Sequence, residues 1–328
     1  MSAADMDALA VHLLRGTQEA ALACRPWVGR GDSDEADSAA VSAMRSAFDS
    51  LPGRGTVVIG EGEKDEAPML FIGESVGNGD GPAFDLAVDP LENTSACARA
   101  AEGAIAVVAA APEGDLWGSP ASWYMDKIVV GRRAAGAVEI GRPVEDNLQS
   151  LSKALDKPVD ELITVVLDKP RHEELVERIY AAGAKVVLIP DGDVFGALRV
   201  LLPDAQADAL VGVGGAPEGV ITACVARLLG GDMQASLAPQ SDEEREKLAE
   251  AGEEPGAPMS LDDLVSSDAC CFVATSVTAG QILRGPVRTD AGWRTQSFVA
   301  TPSHRRLVVD AVHVDHDGAD TSKEAPDA

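Results

Sequence analysis

Four carboxylates lie at the carboxyl ends of two short apolar segments that the sequence predicts to be strands. The segments are TVVIG (56–60) and AFDLAVDP (83–90), and the acidic pairs are Glu61 with Glu63 and Asp89 with Glu92. Ionised carboxylates that converge in one cleft repel one another, so either protonation or bound divalent cations must relieve the repulsion. Oxygen ligands suit Mg²⁺ or Mn²⁺ rather than zinc, and no His or Cys spacing here matches a zinc site. The pattern favours a magnesium or manganese site.

The turn that follows the second segment suits phosphate chemistry. Pro90 restricts the backbone between Asp89 and Glu92, so both carboxylates can face one point. Thr94 and Ser95 come next, at a predicted helix start, where free N–H groups and positive potential favour a phosphate. Asp-Pro also occurs in ordinary turns, and threonine is an ordinary N-cap. Together with the GEGE segment upstream, the functional interpretation is the stronger one.

The overall charge limits the partners of the chain. The formal net charge is −27, from 54 acidic and 27 basic residues. Such a surface repels nucleic acid and anionic membranes, and we expect neither as a partner. A phosphorylated substrate would need local cations to overcome this field, which again favours bound metal. Most of the acidity is expected to serve solubility, and a high-salt cytosol would favour it equally.

Cysteine usage and hydropathy indicate a cytoplasmic protein. Five scattered cysteines without a CxxC pair fit reduced thiols better than a disulfide framework. No segment approaches the roughly 18 consecutive apolar residues that a membrane span needs. The first residues lack the basic region of a secretory signal. Cys97 lies close to the acidic motif, but no neighbouring base marks it as a nucleophile, so we expect it to be a small buried residue.

The elements that must position these groups follow a layered α/β pattern. Two helices are predicted at 5–23 and 34–49, and a third early strand at 104–111. Further along, each of three strands is followed by a helix, which indicates βαβ units and a mostly parallel sheet. These strands are 163–167, 185–189 and 209–213. Ligands bind at the carboxyl ends of such strands, where this sequence places Lys169, Arg171, Asp191, Asp193 and Glu218.

The remainder of the chain is predicted to complete the fold. Strands are expected at 270–277, 297–302 and 306–314, and the charged stretch 241–258 is expected to be an exposed helix and loop. We divide the chain into an N-terminal half expected to bind metal (1–140), a C-terminal α/β half expected to bind substrate (141–312) and an acidic disordered tail (313–328).

Several long motifs occur in the order typical of one enzyme family. They are WVGRGD, IGEGEKDEAPML, DLAVDPLENT, WYMDKIVVG, KPRH, PDGDV and GGAPEG. The chain resembles the class II fructose-1,6-bisphosphatases, which belong to the lithium-sensitive, metal-dependent phosphatase superfamily. The resemblance extends over roughly residues 10–310, and so many ordered motifs make chance unlikely as their source.

The resemblance implies a fold and a set of site residues. The fold is a layered α-β-α-β-α sandwich with mixed or parallel sheets. The implied metal ligands are Asp37, Glu61, Asp89, Glu92 and Glu218, together with the carbonyl of Leu91. Thr94 resembles the threonine that helps to activate the attacking water, and Glu61 and Asp89 act with it in catalysis. The implied substrate-binding residues are Asn93, Ser95, Tyr124, Lys169, Arg171, Asp191 and Asp193.

The resemblance also implies a reaction. A phosphoric monoester hydrolase of this type releases phosphate from fructose 1,6-bisphosphate by in-line attack of water and yields fructose 6-phosphate for gluconeogenesis. Lithium inhibition and a homo-oligomer are expected by the same analogy. Two alternatives stay open: hydrolysis of another sugar (bis)phosphate or an inositol phosphate, and a non-catalytic sugar-phosphate sensor. A sensor need not keep a full set of metal carboxylates, so it is the weaker of the two.

The sequence departs from the family pattern at a few positions. Ser33 replaces a lysine that usually follows the GRGD turn, and Asn93 replaces a glycine before Thr94. Asparagine tolerates positive φ better than other non-glycine residues, so we expect the turn to survive. Ser276 and Gln281 stand where glycine and aspartate are usual. These changes spare the five metal carboxylates and leave the identity of the sugar, the choice between Mg²⁺ and Mn²⁺, the oligomeric state and any allosteric control open.

Overall fold

The computed structural model describes residues 1–60 and 70–314. The predicted ligand Glu61 and the tail residues 315–328 lie outside the described residues. The helices within the described part are Ala3–Ala23 (α1), Ser33–Phe48 (α2), Thr94–Arg99 (α3), Val144–Leu155 (α4), Glu173–Ala181 (α5), Asp193–Leu201 (α6), Ala216–Leu229 (α7), Asp242–Glu250 (α8) and Leu261–Leu264 (α9).

Nine of the thirteen strands in the described residues were predicted from the sequence, and four were not. They are Arg54–Ile59 (β1), Ser75–Val76 (β2), Ala83–Glu92 (β3), Ile105–Pro112 (β4), Tyr124–Val130 (β5), Ile163–Leu167 (β6), Lys185–Ile189 (β7), Ala209–Gly215 (β8), Asp232–Leu237 (β9), Cys271–Ser276 (β10), Val287–Thr289 (β11), Gly292–Ala300 (β12) and Leu307–Val314 (β13). The longer elements missed from the sequence are β5 and β9, which both lie in the second sheet.

The strands form two mixed sheets. The first has the order β11-β12-β10-β4-β3-β1-β2, with β13 also paired to β12, and the second has the order β7-β6-β8-β5-β9. In the second sheet β6 is parallel to β7 and β8, as the βαβ pattern predicts. Strand β5 runs antiparallel to both β8 and β9. The expectation of a mostly parallel sheet therefore fails outside β6–β8, because β5 precedes the βαβ run and its direction is not constrained by it.

The first two helices form as the sequence predicts. Helix α1 begins with a capping box between Ser2 and Asp5, and α2 begins with Asp32, whose side chain accepts a hydrogen bond from the Glu35 amide. The buried face of α2 repeats every four residues from Ala36 to Phe48. A Cβ atom on Gly16 would lie 2.3 Å from the Phe48 ring. The glycine therefore lets the two helices pack closely.

Three apolar clusters define five layers. One cluster joins α1 and α2 to one face of the first sheet. A second contains residues of both sheets and of α6 and α7, which lie between them. A third joins α4 and α5 to the outer face of the second sheet. This succession is the α-β-α-β-α sandwich that was expected.

The chain passes from the first sheet to the second at β5 and returns at β10. Strand β4 consequently has a partner from the far end of the described chain, because Ala110 pairs with Cys271. The division into halves at residue 140 stays a prediction. Within the described residues, no helix has the length and apolar character needed to cross a membrane.

Candidate active site

A cleft of about 1050 Å³ opens between the end of β3 and the loops that follow β6, β7 and β8. Most of the site residues predicted from the sequence line this cleft: Asp89, Leu91, Glu92, Asn93, Thr94, Tyr124, Lys169, Arg171, Asp191, Asp193 and Glu218. The cleft combines several carboxylates with three cationic side chains, Lys169, Arg171 and Lys247. Because both sheets contribute residues, the site depends on how the two sheets are held together.

The turn after β3 has the geometry that its sequence predicts. The Leu91 amide donates a hydrogen bond to Asp89 Oδ1 at 3.0 Å, which folds the backbone around one carboxylate oxygen. Asn93 has φ 63° and ψ 57°, so the left-handed conformation expected there is confirmed. Its side chain accepts a hydrogen bond from the Ala96 amide at 3.1 Å. Helix α3 therefore begins at Thr94, with Asn93 as its N-cap.

The Glu92 carboxylate lies against the first turn of α6. Its two oxygens accept hydrogen bonds from the amides of Val194 at 2.6 Å and Phe195 at 3.1 Å. These N–H groups are among the donors that a helix start leaves unpaired. Burial, and then the nearby charge of Asp193, raise the pKa of Glu92 well above its ordinary value. The side chain thus joins the first sheet to α6 and is electrostatically strained without a cation.

Glu218 occupies the first turn of α7 under similar strain. Its Oε2 atom is buried and has no hydrogen-bond partner within the described residues. Burial, followed by the charge of Asp193, raises the pKa of Glu218 to about 7. The first two glycines of the GGAPEG motif make room for this arrangement. A Cβ on Gly214 would lie 2.1 Å from Asp193 Oδ2, and one on Gly215 would lie 1.9 Å from Glu218 Oε2.

Lys127 is the main buried residue that sequence reasoning missed. Its ammonium group donates hydrogen bonds to the Asp193 carboxylate and, at 2.7 Å, to the Gly215 carbonyl. The signal in the sequence is a lysine in the middle of the apolar strand YMDKIVV. Lysine is almost never fully buried without a partner, so its position alone predicts an anionic neighbour.

The loops after β3 and β7 meet at Asp191. Its carboxylate accepts a hydrogen bond from Ser95 Oγ at 2.9 Å and forms an ion pair with Lys169 at 2.5 Å. The Asn93 side chain donates a hydrogen bond to the Asp191 backbone carbonyl at 3.2 Å. Ser95 and Asn93 were predicted to bind substrate, and the structure places both against Asp191. Of these two residues, Asn93 also lines the cleft.

Arg171 is held at the cleft by contacts with Val213 and Tyr124. Its guanidinium donates hydrogen bonds to the Val213 carbonyl at 3.2 and 3.0 Å and lies 5.3 Å from the centre of the Tyr124 ring. His172 Nε2 accepts a hydrogen bond from the Val213 amide, so Nδ1 carries the proton that is donated to the Leu167 carbonyl. Burial lowers the pKa of His172. The neutral histidine therefore joins the ends of β6 and β8 and positions its neighbour Arg171.

The charged stretch 241–258 contributes more than the exposed surface that was predicted. Helix α8 supplies Glu243 and Lys247 to the cleft wall. The Lys247 ammonium lies 4.5 Å from the centre of the Trp123 ring. Burial of Leu248 against Ala121 and Leu237 holds the helix there. The charged composition of the segment did not predict this role, because a single buried apolar residue, Leu248, orients the short helix.

Other predicted residues do not line the cleft. Asp37 lies in α2, where its Oδ1 atom is buried without a hydrogen-bond partner in the described part of the chain. Burial, and then the charge of Asp34, raise its pKa. Ser33 and Gln281, which depart from the family pattern, lie outside the cleft lining; Ser33 is half-buried and Gln281 is exposed. Of the four departures, Ser33, Asn93, Ser276 and Gln281, only Asn93 lines the cleft.

The described residues suit a divalent cation without completing its site. Residues 1–60 and 70–314 contain no group of three or more His, Cys, Asp or Glu side chains arranged to hold an ion. The unpaired oxygens of Asp37 and Glu218 and the raised pKa values of Glu92 and Glu218 are nevertheless the features that a cation would relieve. The donor set consists of oxygen atoms, as Mg²⁺ and Mn²⁺ prefer.

Comparison with known proteins identifies the relatives of the chain. The family model for bacterial fructose-1,6-bisphosphatase, glpX-encoded, matches residues 7–313. Fructose-1,6-bisphosphatase 2 class 2 of Escherichia coli (strain K12) is 43% identical over 322 residues, which cover 94% of this chain and 100% of that protein. Fructose-1,6-bisphosphatase 1 class 2 of the same strain is 43% identical over 290 residues, with 84% and 86% covered.

Proposed function

The chain belongs to the bacterial fructose-1,6-bisphosphatase family, and on this premise we propose that it hydrolyses fructose 1,6-bisphosphate to fructose 6-phosphate and inorganic phosphate. One observation carries the proposal. The carboxylates Asp89, Glu92 and Glu218 and the cations Lys169 and Arg171 line one cleft. A bisphosphate places an anion at each end of a sugar, so one phosphate can face the carboxylate group through metal and the other can face the cations.

The family is one of metal-dependent phosphatases, and we propose Mg²⁺ or Mn²⁺ as the metal. Asp89, Glu92, Glu218 and the Leu91 carbonyl would hold it, joined by Asp37 and Glu61. When bound, the metal supplies charge neutralisation for the phosphoryl group and lowers the pKa of a coordinated water. Lithium, which competes for such positions in the superfamily, is expected to inhibit the enzyme.

The side chains of the cleft would bind the substrate and orient the attacking water. Thr94 begins α3 at the cleft, and we propose that its hydroxyl orients the attacking water. Arg171 stays fixed by the Val213 carbonyl while its remaining N–H groups face the substrate. Tyr124 lies beneath this guanidinium and would contact the sugar. Asp191 and Asp193 would accept hydrogen bonds from sugar hydroxyls.

The alternative within the same chemistry is another sugar (bis)phosphate or an inositol phosphate. Asn93 favours it, because this departure from the family pattern lies in the cleft lining. A sugar-phosphate sensor is the third possibility. We expect an enzyme rather than a sensor because buried carboxylates with raised pKa values are costly to retain without catalytic use.

Phosphate release from a panel of phosphorylated sugars and inositols, with Mg²⁺ and then Mn²⁺, tests the proposal. We expect the highest kcat/KM for fructose 1,6-bisphosphate. A higher kcat/KM for another compound would assign the protein to that substrate instead. Tight binding of a sugar phosphate without release of phosphate in either metal would support the sensor.

Two further properties are proposed with the function. All five cysteines are free and buried, which fits an enzyme of the reducing cytoplasm. A homo-oligomer is expected from the family resemblance, and light scattering at several protein concentrations would measure its mass.

A further inference from the structure

Lys127 is a buried cation to which the proposed reaction assigns no role. Its side chain is 2% exposed, in the middle of β5. Its ammonium group contacts only polar atoms of other elements: the Asp193 carboxylate and the Gly215 carbonyl. A buried ammonium group is costly unless such partners replace its water. Lys127 and its two partners therefore fix one another's positions.

These partners connect Lys127 to the elements that carry Asp193, Glu92 and Glu218. Asp193 is the first residue of α6, and the next two amides of that helix hold Glu92. Gly215 is the last residue of β8 and directly precedes α7, which carries Glu218 in its first turn. One side chain of the second sheet thus joins α6 to β8. Through Glu92 it also reaches the end of β3 in the first sheet.

The backbone of β8 packs closely against the ion pair of Lys127 and Asp193. A Cβ atom on Gly214 would lie 3.0 Å from Lys127 Nζ as well as 2.1 Å from Asp193 Oδ2. The backbone of β8 therefore encloses the ion pair from one side. Because the buried pair packs against β8 and Asp193 belongs to α6, a displacement of the pair would disturb the packing of both elements.

We propose that Lys127 is a positioning residue: it fixes Asp193 against Gly215 and so sets the separation between the cleft residues Asp193 and Glu218. The inference deepens the proposed function and depends on it for the substrate, but the contacts themselves do not depend on it. Without Lys127, Asp193 remains as an unpaired buried carboxylate beside Glu92 and Glu218. Mutual repulsion then displaces the start of α6 and the residues that line the cleft.

Steady-state kinetics of Lys127→Met, with Lys157→Met as the matched control, test the proposal. Lys157 forms an ion pair with Asp208 at 2.6 Å and lies outside the cleft lining. We expect Lys127→Met to lower kcat/KM about 100-fold, with the larger share in KM, because a buried partner loses its counter-charge. Lys157→Met should stay within about twofold of the wild type. Equal kcat/KM for the two variants and the wild type would overturn the proposal.

A double-mutant cycle with Asp193→Asn shows whether Lys127 acts through Asp193. In the Asp193→Asn background, Lys127→Met should lower kcat/KM by less than about threefold further, because residues that act as a unit are not additive. Losses that multiply would mean that Lys127 acts independently of Asp193 and would overturn the proposed route. The double variant removes both charges of the pair. It is therefore expected to fold even if Lys127→Met alone fails to fold.

Hydrogen exchange provides a readout that needs no turnover. The amides at the start of α6 should exchange faster in Lys127→Met, or in Lys127→Met/Asp193→Asn, than in the wild type and in Lys157→Met. Unchanged exchange at α6 would overturn the positioning role. A wild type that releases phosphate from no sugar phosphate would contradict the proposed function instead, and the exchange measurement would still decide the role of Lys127.

Discussion

Ser95 Oγ donates a hydrogen bond to Asp191 Oδ2 at 2.9 Å and so joins helix α3 to the loop after β7. The first element follows a strand of one sheet and the second follows a strand of the other. Lys169 holds the second oxygen of the same carboxylate. Asp191 is therefore oriented before any substrate arrives, and the two sides of the cleft meet at this residue.

Replacing Ser95 with alanine should weaken substrate binding more than it weakens the fold. The change removes one hydrogen bond to a charged, partly exposed acceptor, for which we expect about 1 kcal/mol of stability and a severalfold rise in KM. Steady-state kinetics and thermal melting measure the two effects. Ser50→Ala is the control, because Ser50 Oγ donates to the Ala47 carbonyl at 3.1 Å on the exposed surface. An equal change in KM for both variants would contradict the expectation.

Asp89→Asn should abolish turnover while the fold survives. The Asp89 Oδ1 atom accepts a hydrogen bond from the Leu91 amide, and an asparagine oxygen can accept the same bond. The negative charge proposed to bind metal is lost. We expect kcat to fall by about 1,000-fold or more, with a change in unfolding free energy of about 1 kcal/mol or less. Near wild-type phosphate release would mean that the metal site is elsewhere.

Two substitutions at Asn93 should separate backbone strain from side-chain bonding. Glycine adopts φ 63° freely and loses the side-chain bonds with the Ala96 amide, the Ser95 hydroxyl and the Asp191 carbonyl, so we expect about 1 kcal/mol of destabilisation. Valine loses the same bonds and is also strained at positive φ, which should cost a further 1–2 kcal/mol, roughly. Urea unfolding measures the difference. Equal stabilities would show that the left-handed conformation is not required.

Gly215→Ala tests whether Glu218 needs the space that this glycine leaves. The backbone at Gly215 has φ −64°, which alanine adopts without strain. The added Cβ would lie 1.9 Å from Glu218 Oε2, so the carboxylate must move. We expect kcat/KM to fall by about 100-fold, since a displacement of about 1 Å at a reacting group has that effect. Unchanged kinetics would show that Glu218 has no fixed position in turnover.

The stability of the metal-free protein should fall as the pH rises from 4.5 to about 7, the ordinary and the raised pKa of Glu218. Its pKa is about 7 in the fold, against an ordinary value of 4.5. Between these values the folded protein keeps a proton that the unfolded chain releases, so stability decreases with increasing pH, by about 3 kcal/mol in total.

Thermal melts in a chelator between pH 4.5 and 7.5 measure this slope. Glu218→Gln cannot titrate, so its profile should be flatter by that amount. The remaining slope reflects other groups, including Glu92, whose pKa is also raised. A divalent ion should restore more stability at pH 7.5 than at pH 4.5. Parallel profiles for the variant and the wild type would contradict the burial of an ionised Glu218.

Local signals in the sequence were sufficient for most of the framework. Strands β6 and β7 match the predicted boundaries, because short aliphatic runs between turn residues have few alternatives. The left-handed Asn93 followed from residue type alone. Most of the site residues predicted from the motifs also line the cleft, since strand ends gather at one edge of a sheet.

Contacts between segments that are far apart in the sequence could not be predicted from local patterns. The partnership of Lys127 with Asp193 joins two segments without a shared motif, and the direction of β5 depends on the path of the whole chain. Helix α8 was taken for exposed surface, because nothing in its composition shows which residue it packs against. Asp37 was grouped with the cleft carboxylates by family resemblance, and its role as a ligand stays a prediction.

The pairing of β4 with β10 has a consequence for how the chain is made. Ala110 meets Cys271 only after the whole second sheet has been synthesised. Until then β4, with the sequence IAVVAAAP, has an open edge of unpaired N–H and C=O groups on one side. Such edges favour pairing with other chains, and contacts between distant segments slow folding. We therefore expect nascent and overproduced chains to aggregate through this strand, and chaperones that shield it to raise the yield.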